Sequence, residues 1–399
     1  MKATLLKHRW IISIAAAALL GACSRDARVT SGDSVPAGPS AAPPGGAQFV
    51  GVVPDGTDVQ DVIDDNNLIA EGWLPDSGTL LFQAPLGFDP TDFETSGPNA
   101  STQSVKDEND IISFYEWDEG PPDYSQQPDL LCLDLATVHA AATGTHTRVA
   151  ILDTGVDPQH QHLLNRVVLI NDPVLGTATI AGADPQGDAY AHGTHVAGVI
   201  LHVAPAATVY PFKVLNEYGT GTVFDLVAGI DAAVAAGVHV INMSLSVSAT
   251  SQVVAKAIVR ADDAGVIMLA AAGNTGGAPV FPAIHPAVIG VAATDGASCT
   301  TLEPYSAYHA TDIAFAAPGA VHGAYPPVPE GKDEASNPER GGTSTACAVA
   351  TGSVLLMLDD GMFFPPGFAP LQELENTAVP VTGGSVLYGR VSPKDALGL

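Results

Sequence analysis

The chain is organised around the stretch Gly341-Gly342-Thr343-Ser344-Thr345-Ala346-Cys347-Ala348-Val349-Ala350-Thr351-Gly352. Its polar Gly-Gly-Thr-Ser turn runs directly into small residues that are compatible with a helix, so the pattern predicts Ser344 at or near a helix N-terminus. Backbone N–H groups at that position lack intrahelical partners, and the helix dipole favours negative charge. An anion that develops beside the Ser344 hydroxyl would therefore be stabilised, as acyl transfer requires.

Composition limits the class of protein. The chain has 399 residues, of which 46% are hydrophobic and 15% are charged, which suits one large globular domain and an appendage of roughly 80–100 residues. The net charge is −28. Nucleic acid is therefore not an expected partner, because neutralising phosphates needs clustered Lys and Arg. We interpret the acidity as favouring the solubility of an exported protein.

The N-terminus has the order of a signal peptide. Three basic residues within the first nine positions precede an apolar run over residues 10–20, which is short for a membrane span. The following Leu20-Gly21-Ala22-Cys23 resembles a bacterial lipobox, in which the Cys is lipidated. We expect a lipoprotein-type signal over residues 1–23, with an ordinary export signal as the alternative. Ser24 favours the outer membrane in a Gram-negative host, and residues 24–47 are expected to form a flexible tether.

The remaining cysteines are Cys132, Cys299 and Cys347. Three cysteines cannot all pair within one chain, so at least one is free or pairs elsewhere. Export permits a disulfide without requiring one. We interpret Cys347 as a buried small residue and not as a nucleophile, because no activating partner is adjacent in sequence.

Residues 48–119 are predicted to form a small α/β unit. Strands are expected at residues 48–53, 79–83 and 111–116, and a short helix at residues 58–63 with Thr57 as its N-cap. From Cys132 onward, apolar strands of parallel type alternate with Ala-rich helices, which predicts an α/β fold with a parallel sheet. The expected strands are 149–152, 207–214, 238–243 and 266–271, and the expected helices are 193–201, 223–236, 251–264 and 344–358.

Chemically useful side chains follow several of these strands. Asp153 ends the first, where a half-buried carboxylate can orient a partner, and His192 precedes an Ala/Val helix, where a neutral imidazole can accept a proton near pH 7. A single Asp-Thr-Gly at Asp153 would serve an aspartic protease only as a homodimer. His192 and His195 have a metal-ligand spacing, but a further ligand is lacking, so we expect His195 to be a packing residue and no metal site.

Two further stretches complete the set. Asn274 follows a buried strand and a Gly, where its amide can donate to an oxyanion or merely occupy a turn. Ser244, Leu245 and Ser246 follow another strand and could pair with an extended peptide. Together, the chain order Asp153, His192, Ser344 meets the demands of nucleophilic acyl transfer: a hydroxyl, a base, an orienting carboxylate and donors for the intermediate.

On these motifs the chain resembles the subtilisin-like serine proteases, or subtilases. The resemblance rests on the segments 150–157, 192–198, 271–274 and 342–344 and extends over about residues 130–360. It departs from the family pattern at Thr345 and Ala348, where Met and Pro are usual. The family implies a three-layer fold with a central, mostly parallel sheet, here over residues 130–399.

The resemblance also implies roles. Ser344 would be the nucleophile, His192 the general base and then acid, and Asp153 its orienting carboxylate. Asn274 would donate to the oxyanion together with the Ser344 N–H. Ser244, Leu245 and Ser246 would flank the backbone of a polypeptide substrate on one side, and Ala271, Ala272 and Gly273 on the other. No cofactor is expected; structural calcium stays open as an alternative, although the sequence has no clear calcium loop.

Many subtilases carry an α/β propeptide that assists folding and then blocks the cleft. Residues 48–119 resemble such an inhibitor domain, with cleavage expected between about residues 118 and 128. Cleavage would release the enzyme from a lipid anchor at Cys23, so the mature protein is expected either as an outer-membrane lipoprotein or as a secreted enzyme. Residues 320–340 are expected to form a surface loop. Two alternatives stay open: a catalytically silent peptide-binding lipoprotein, and a maturation peptidase with one partner substrate.

Overall fold

The structure is a computed structural model. It describes residues 48–53, 57–75, 77–84, 105–108, 111–113, 117–118, 128–181, 183, 187, 189–296, 298–324, 339–359 and 370–399. The predicted signal segment and tether, residues 1–47, lie outside these residues. Within the described part of the chain, no helix combines the length and the apolar character that crossing a membrane requires.

The N-terminal unit is a four-stranded antiparallel sheet with one helix. Its elements are β1 (Gln48–Val52), α1 (Val59–Asp65), β2 (Ile69–Leu74), β3 (Thr79–Gln83) and β4 (Val105–Glu108), in the sheet order β2-β3-β1-β4. The strands predicted at 48–53 and 79–83 are thus confirmed. The predicted N-cap Thr57 is wrong: Asp58 caps the helix by accepting from the Gln60 N–H at 2.8 Å.

Two short strands follow this unit, β5 (Ile111–Ser113) and β6 (Trp117–Asp118). The predicted strand over residues 111–116 covers β5. Its last three residues lie outside the described residues. Neither short strand joins the four-stranded sheet; both pair with strands of the main domain, as described below.

The main domain begins with a 3-10 helix at Pro128–Leu133. Its strands are β7 (Arg148–Asp153), β8 (Asn171–Asp172), β9 (Gly176–Thr177), β10 (Thr208–Lys213), β11 (Gly221–Thr222), β12 (Val240–Met243), β13 (Ser246–Val247), β14 (Ile267–Ala271), β15 (Ile289–Thr294), β16 (Phe315–Pro318), β17 (Ala320–His322), β18 (Glu339–Gly341) and β19 (Gly389–Arg390). Its helices are α2 (Leu135–His139), α3 (His192–Val203), α4 (Val223–Ala235), α5 (Gln252–Asp263), α6 (Thr343–Met357), α7 (Pro370–Thr377) and α8 (Pro393–Ala396).

The core of this domain is a seven-stranded sheet in the order β10-β7-β12-β14-β15-β16-β19. Every neighbouring pair in it is parallel. Along β7, Val149 and Ile151 face the layer that contains α3 and α6, whereas Ala150 and Leu152 face the layer that contains α4 and α5. A strand buried on both faces needs a continuous apolar run, which is how the sequence signals it. The predicted three-layer α/β fold is confirmed.

Covalent and polar ties fix the ends of this domain. Cys132 and Cys299 form a disulfide that joins the 3-10 helix to the loop after β15, and Cys347 is a buried free cysteine, as predicted. At the end of α6, the Asp359 carboxylate accepts hydrogen bonds from three successive backbone N–H groups, residues 143–145, at 2.7, 2.7 and 3.0 Å. The C-terminal end of α6 is thereby tied to the turn that leads into β7.

The predicted surface loop over residues 320–340 is partly regular. Its two ends form the antiparallel pair β17 and β18, in which Ala320 lies opposite Gly341. Residues 325–338 lie outside the described residues. Since β18 leads directly into α6, this pair of strands borders the start of the helix.

Candidate active site

Asp153 and His192 form a buried pair. Asp153 ends β7 and His192 begins α3, and both are almost fully buried. The His192 Nδ1 lies 2.7 Å and 2.9 Å from the two oxygens of the Asp153 carboxylate. Because a carboxylate accepts and does not donate, the imidazole carries its proton on Nδ1, and its Nε2 lone pair is the basic position.

The backbone around this pair is held in one arrangement. Ala191, directly before His192, has φ +67°, a left-handed conformation that costs a residue with a Cβ about 1–2 kcal/mol. Gly193 approaches so closely that a Cβ there would lie 2.3 Å from the Gly155 carbonyl oxygen. The Gly193 N–H donates to the Thr154 hydroxyl at 3.1 Å. A strained residue and a close approach thus fix the start of α3 against the turn after β7.

Lys213 supports the same turn from the neighbouring strand. It lies opposite Asp153 in the β10–β7 register, and its Nζ donates to the Thr154 carbonyl oxygen at 2.7 Å. Burial lowers the pKa of the Lys213 ammonium, and the Glu217 and Asp153 carboxylates oppose that shift. The two carboxylates thus favour the charged form of the Lys213 side chain, which burial disfavours.

His195 is a packing residue in this structure. It is fully buried, and its Nε2–H donates to the Val321 carbonyl oxygen at 3.0 Å. Its ring lies where a Cβ on Gly323 would be, 2.2 Å away. This position joins α3 to β17. Within the described residues, no group of three or more His, Cys, Asp or Glu side chains is arranged to hold a metal ion.

Ser344 is the second residue of α6 and is 2% exposed. Its hydroxyl donates to the Ser244 carbonyl oxygen at 3.2 Å, and the Ser244 hydroxyl donates to the Ser344 carbonyl oxygen at 2.9 Å. The Ser344 hydroxyl is therefore directed at the end of β12 in this structure. A proton transfer to His192 would require the hydroxyl to change acceptors.

Helices α3 and α6 bring His192 and Ser344 to the same level. A Cβ on Gly352 would lie 3.2 Å from the Ile200 carbonyl oxygen. Ile200 follows His192 by eight residues, and Gly352 follows Ser344 by the same number. Helix α3 connects the parallel strands β7 and β10, and α6 lies between the parallel strands β16 and β19, so both helices return against the strand direction and run the same way. Because they touch at equal distances from their first turns, they begin side by side. Axes of packed helices lie about 8–10 Å apart.

Asn274 follows β14 and contacts the start of α6. Its Oδ1 accepts from both the backbone N–H and the hydroxyl of Thr343, each at 2.8 Å. Because a backbone N–H can only donate, this contact assigns the oxygen to that side and directs the Nδ2 donor away from Thr343. The Thr343 hydroxyl also accepts from the Gly273 N–H at 3.0 Å. The start of α6, whose N-cap Gly342 has no side chain, is thus capped by Asn274 from the loop after β14.

The sheet explains why these groups meet. Asp153 ends β7, and Ser244 and Asn274 follow the next two strands of the sheet, β12 and β14. Adjacent strands are about 4.8 Å apart, and parallel strands end on the same edge. The Asp153 carboxylate, the His192 imidazole bonded to it, the Ser344 hydroxyl at the start of α6 and the Asn274 amide therefore lie on one rim of the sheet. Such a set can remove a proton from the hydroxyl and donate to an oxyanion.

The two stretches predicted to flank a substrate differ in whether their backbone can pair with an extended strand. Ser246 pairs with the chain's own Ser113, so this edge already accepts an extended strand. In the other stretch, the Ala272 N–H donates to Val291 O and its carbonyl accepts from Val280 N–H. Gly273 donates to Thr343 and accepts from Ala307. That backbone is engaged within the protein, so it can serve as a wall and not as a pairing edge.

Sequence reasoning missed several supporting residues. Thr343, Lys213 and Asn242 all contact the site or the elements that carry it, yet no role was predicted for them. Asn242 carried a possible signal, since it interrupts the apolar strand Val240–Met243. A polar residue inside a doubly buried strand requires a hydrogen-bond partner.

Comparisons with known proteins agree with this geometry. The subtilase family model, of the S8 peptidases, matches residues 144–365, which is more than half of the chain. The chain is 37% identical over 191 residues to a thermostable alkaline protease of Halalkalibacterium halodurans, over 44% of this chain and 48% of that protein. The chain thus spans about half the length of that relative. To subtilisin Savinase of Lederbergia lenta it is 33% identical over 261 residues, 62% of this chain and 88% of that protein.

A solved structure has the same fold. Fervidolysin from Fervidobacterium pennivorans, described as a keratinolytic enzyme related to subtilisin, superposes with a TM-score of 0.70 and 23% sequence identity, over 89% of this chain and 61% of that one. At this identity the likeness bears on the fold alone. With the family model matched over most of the main domain and a relative covered over 88% of its length, the chain belongs to the subtilase family.

Proposed function

We propose that this protein is a serine endopeptidase that cleaves polypeptides through an acyl-enzyme on Ser344. The observation that carries the proposal is the double contact of His192 Nδ1 with the Asp153 carboxylate, on the rim where α6 presents Ser344. Asp153 would hold the imidazole in one tautomer and stabilise its cation. His192 would accept the Ser344 proton and later return it to the leaving amine.

The oxyanion of the tetrahedral intermediate would form near the start of α6. Asn274 Nδ2 and the Ser344 N–H are the proposed donors, supported by the contact that turns the Asn274 oxygen toward Thr343. Donors held in place before the reaction need no reorganisation when charge develops. Ser244, Leu245 and Ser246 would align an extended substrate, and Ala271, Ala272 and Gly273 would form the opposing wall.

A fluorophosphonate probe tests this proposal. The probe should label purified protein, and the label should map to Ser344. Ser344→Ala should abolish both labelling and hydrolysis of a protein substrate, with a loss in turnover of about 10^6-fold, the size of the effect in subtilisin itself. A folded wild-type chain that neither reacts nor cleaves would favour the catalytically silent alternative. Cleavage of a single sequence in a peptide library would favour the dedicated maturation peptidase.

We further propose that residues 48–119 are an intramolecular inhibitor. The support is strand pairing on both sides of the rim. On one side, β5 runs antiparallel between β11 and β13, with Ile112 opposite Gly221 and Ser113 opposite Ser246. The chain's own backbone thus occupies the edge assigned to substrate. Val50 and Leu74 of the N-terminal unit also join the apolar cluster formed by α4 and α5.

On the other side, β6 pairs with β18, and Trp117 lies opposite Gly341. Gly341 precedes Ser344 by three residues. Strands β5 and β6 thus lie beside β13 and β18, on the two sides of Ser344. This arrangement supports a cut between Ser113 and Trp117, earlier than the expected position between residues 118 and 128.

Extending both pairings in register supports cleavage of one bond, although residues 114–116 lie outside the described residues. Continued from Ser113 opposite Ser246, the first pairing would bring Tyr115 to Ser244, whose carbonyl oxygen accepts from the Ser344 hydroxyl. Continued back from Trp117 opposite Gly341, the second pairing would bring Glu116 to Gly342, two residues before Ser344. We therefore propose cleavage between Tyr115 and Glu116. Intact-mass measurement and N-terminal sequencing should find Glu116 at the new terminus, with Ser344→Ala as the uncut control. A terminus within residues 119–128 would contradict the register argument, and an active uncut chain would contradict processing.

Export and anchoring complete the proposal. The Cys132–Cys299 disulfide supports export, because such bonds persist in oxidising compartments. Lipidation at Cys23 would attach the precursor to the membrane, and the proposed cut would release the main domain unless the two parts stay bound. Metabolic labelling with a fatty acid tests the anchor, with Cys23→Ser as control. An unlabelled wild-type precursor would leave only an ordinary export signal.

A further inference from the structure

We propose that Ser244 and Asn242 are positioning residues that hold the main chain of Ser344 in place while its hydroxyl changes acceptors. This inference rests on the proposed function, in which Ser344 is the nucleophile. It assigns the Ser244 side chain a role separate from that of the backbone edge to which Ser244 belongs.

Asn242 is fully buried and uses both ends of its amide. Its Oδ1 accepts from the Thr351 hydroxyl at 2.9 Å and from the Cys347 thiol at 3.3 Å. Its Nδ2 donates to the Ser244 hydroxyl oxygen at 2.9 Å. Burial raises the pKa of the Cys347 thiol to about 12, so that group remains a neutral donor. The polar residue in this apolar strand therefore has donors and acceptors that match it.

The chain of hydrogen bonds continues to Ser344. The Ser244 hydroxyl, oriented by Asn242, donates to the Ser344 carbonyl oxygen at 2.9 Å. The donors run in one direction, from Thr351 to Asn242, to Ser244 and to Ser344. Because Nδ2 donates to the Ser244 oxygen, the hydroxyl proton of Ser244 is left to point at α6. The first turn of α6 is thus fixed to the end of β12 through side chains.

The two bonds between Ser244 and Ser344 have different expected fates. The Ser344 hydroxyl bond to the Ser244 carbonyl is 3.2 Å long, whereas O–H···O bonds usually measure about 2.7–2.8 Å. This long bond must break for the hydroxyl to reach His192. The shorter bond, from the Ser244 hydroxyl to the Ser344 carbonyl, does not involve the reacting atom. It can persist through the reaction and keep the Ser344 backbone at a fixed distance from the rim.

The expected effect is modest and specific. A neutral hydrogen bond contributes about 1 kcal/mol, so removing this positioning bond should lower the reactivity of Ser344 by roughly 3- to 10-fold. In this proposal Asn242 acts on Ser344 through Ser244, while its bonds from Thr351 and Cys347 hold the Asn242 amide in place. Removing both groups should therefore cost no more than about the larger single loss, as expected for residues in series.

Ser353 supplies a matched control. It is a fully buried serine in α6 whose hydroxyl also donates to a backbone carbonyl of that helix, Val349 O, at 3.0 Å. Ser244→Ala and Ser353→Ala thus each remove a fully buried hydroxyl that donates to a backbone carbonyl of α6, although the Ser353 bond lies within the helix and Ser244 also accepts from Asn242. A purely structural role predicts changes in stability without a specific change in the reactivity of Ser344. Our proposal predicts an effect on Ser344 only for Ser244→Ala.

The experiment measures the rate constant for labelling by a fluorophosphonate, together with kcat and KM on a chromogenic peptide. We expect Ser244→Ala and Asn242→Leu each to slow labelling by 3- to 10-fold and to lower kcat similarly. The double variant should match the slower single variant, and Ser353→Ala should stay within twofold of wild type. Urea unfolding, in a Ser344→Ala background, identifies variants that fail to fold.

The outcomes separate the two claims. A wild-type chain that does not label would overturn the proposed function itself. If wild type labels but Ser244→Ala and Ser353→Ala react at equal rates, the positioning role is wrong while the nucleophile stands. Losses that multiply in the double variant would also overturn the series arrangement. Because Ser244→Ala is a small change, it keeps the proposal testable even if Asn242→Leu does not fold.

Discussion

The Thr343 hydroxyl offers a sharp test of how the oxyanion donor is oriented. It donates to Asn274 Oδ1 at 2.8 Å and accepts from the Gly273 N–H at 3.0 Å. Thr343→Val keeps the shape of the side chain and removes both contacts. Of its two bonds from Thr343, the Asn274 oxygen then keeps the one from the backbone N–H, also at 2.8 Å.

Two magnitudes follow from these contacts. Thr343→Val leaves the part-buried Gly273 N–H without this acceptor, which should lower the free energy of unfolding by about 1–3 kcal/mol. Asn274 loses one of the two bonds that Thr343 makes to its oxygen, worth about 1 kcal/mol, so kcat should fall by roughly fivefold. Removing the donor itself with Asn274→Ala should cost more, about 10^2–10^3 in kcat, the range seen in subtilisin.

The assay compares Thr343→Val with Thr343→Ser, which keeps the hydroxyl and loses only the methyl group. Steady-state kinetics give kcat and KM on a peptide substrate, and urea unfolding in a Ser344→Ala background gives stability without self-digestion. Thr343→Ser should keep most of the activity. If Thr343→Val retains wild-type kcat, or if both variants lose activity equally, the hydroxyl does not orient Asn274.

Four other predictions can be checked by unfolding. Replacing both Cys132 and Cys299 by Ser frees a loop closed across 167 residues, so the free energy of unfolding in urea should fall by about 2–5 kcal/mol through chain entropy; no change would contradict that account. Burial, with His139 and His162 nearby, lowers the pKa of His202 to about 4. Below pH 6.5 the unfolded chain therefore binds more protons at His202 than the folded chain does. The free energy of unfolding should be highest above pH 6.5 and should fall by up to about 3 kcal/mol as the pH drops to 4. His202→Gln should flatten that profile. Gly193→Ala would place a Cβ 2.3 Å from the Gly155 carbonyl oxygen and should destabilise the fold by more than about 1–3 kcal/mol, the usual cost of overpacking; a neutral effect would refute the close approach. Asp359→Ala leaves three N–H groups without their acceptor and should cost several kcal/mol, whereas a small loss in thermal unfolding would show that water replaces it.

Local sequence determined the elements of the main domain. The apolar run at Val149–Leu152 predicted a doubly buried strand, and the change from polar turn to small residues predicted the start of α6 near Ser344. Both signals are local, because they depend on which residues can be buried or can begin a helix. The order Asp153, His192, Ser344 also suggested their chemistry, and the geometry supports those roles as proposals.

Tertiary structure decided everything that depends on pairing between distant segments. Asn274 caps a helix that begins 69 residues later, Cys132 pairs with Cys299, and Ser113 lies opposite Ser246. No local pattern encodes such partners, because their free energy depends on which strands become neighbours in the sheet. The same reason explains why the expected cut between about residues 118 and 128 and the proposed cut after Tyr115 differ: the first was made without a strand register, and a register is a property of two strands together.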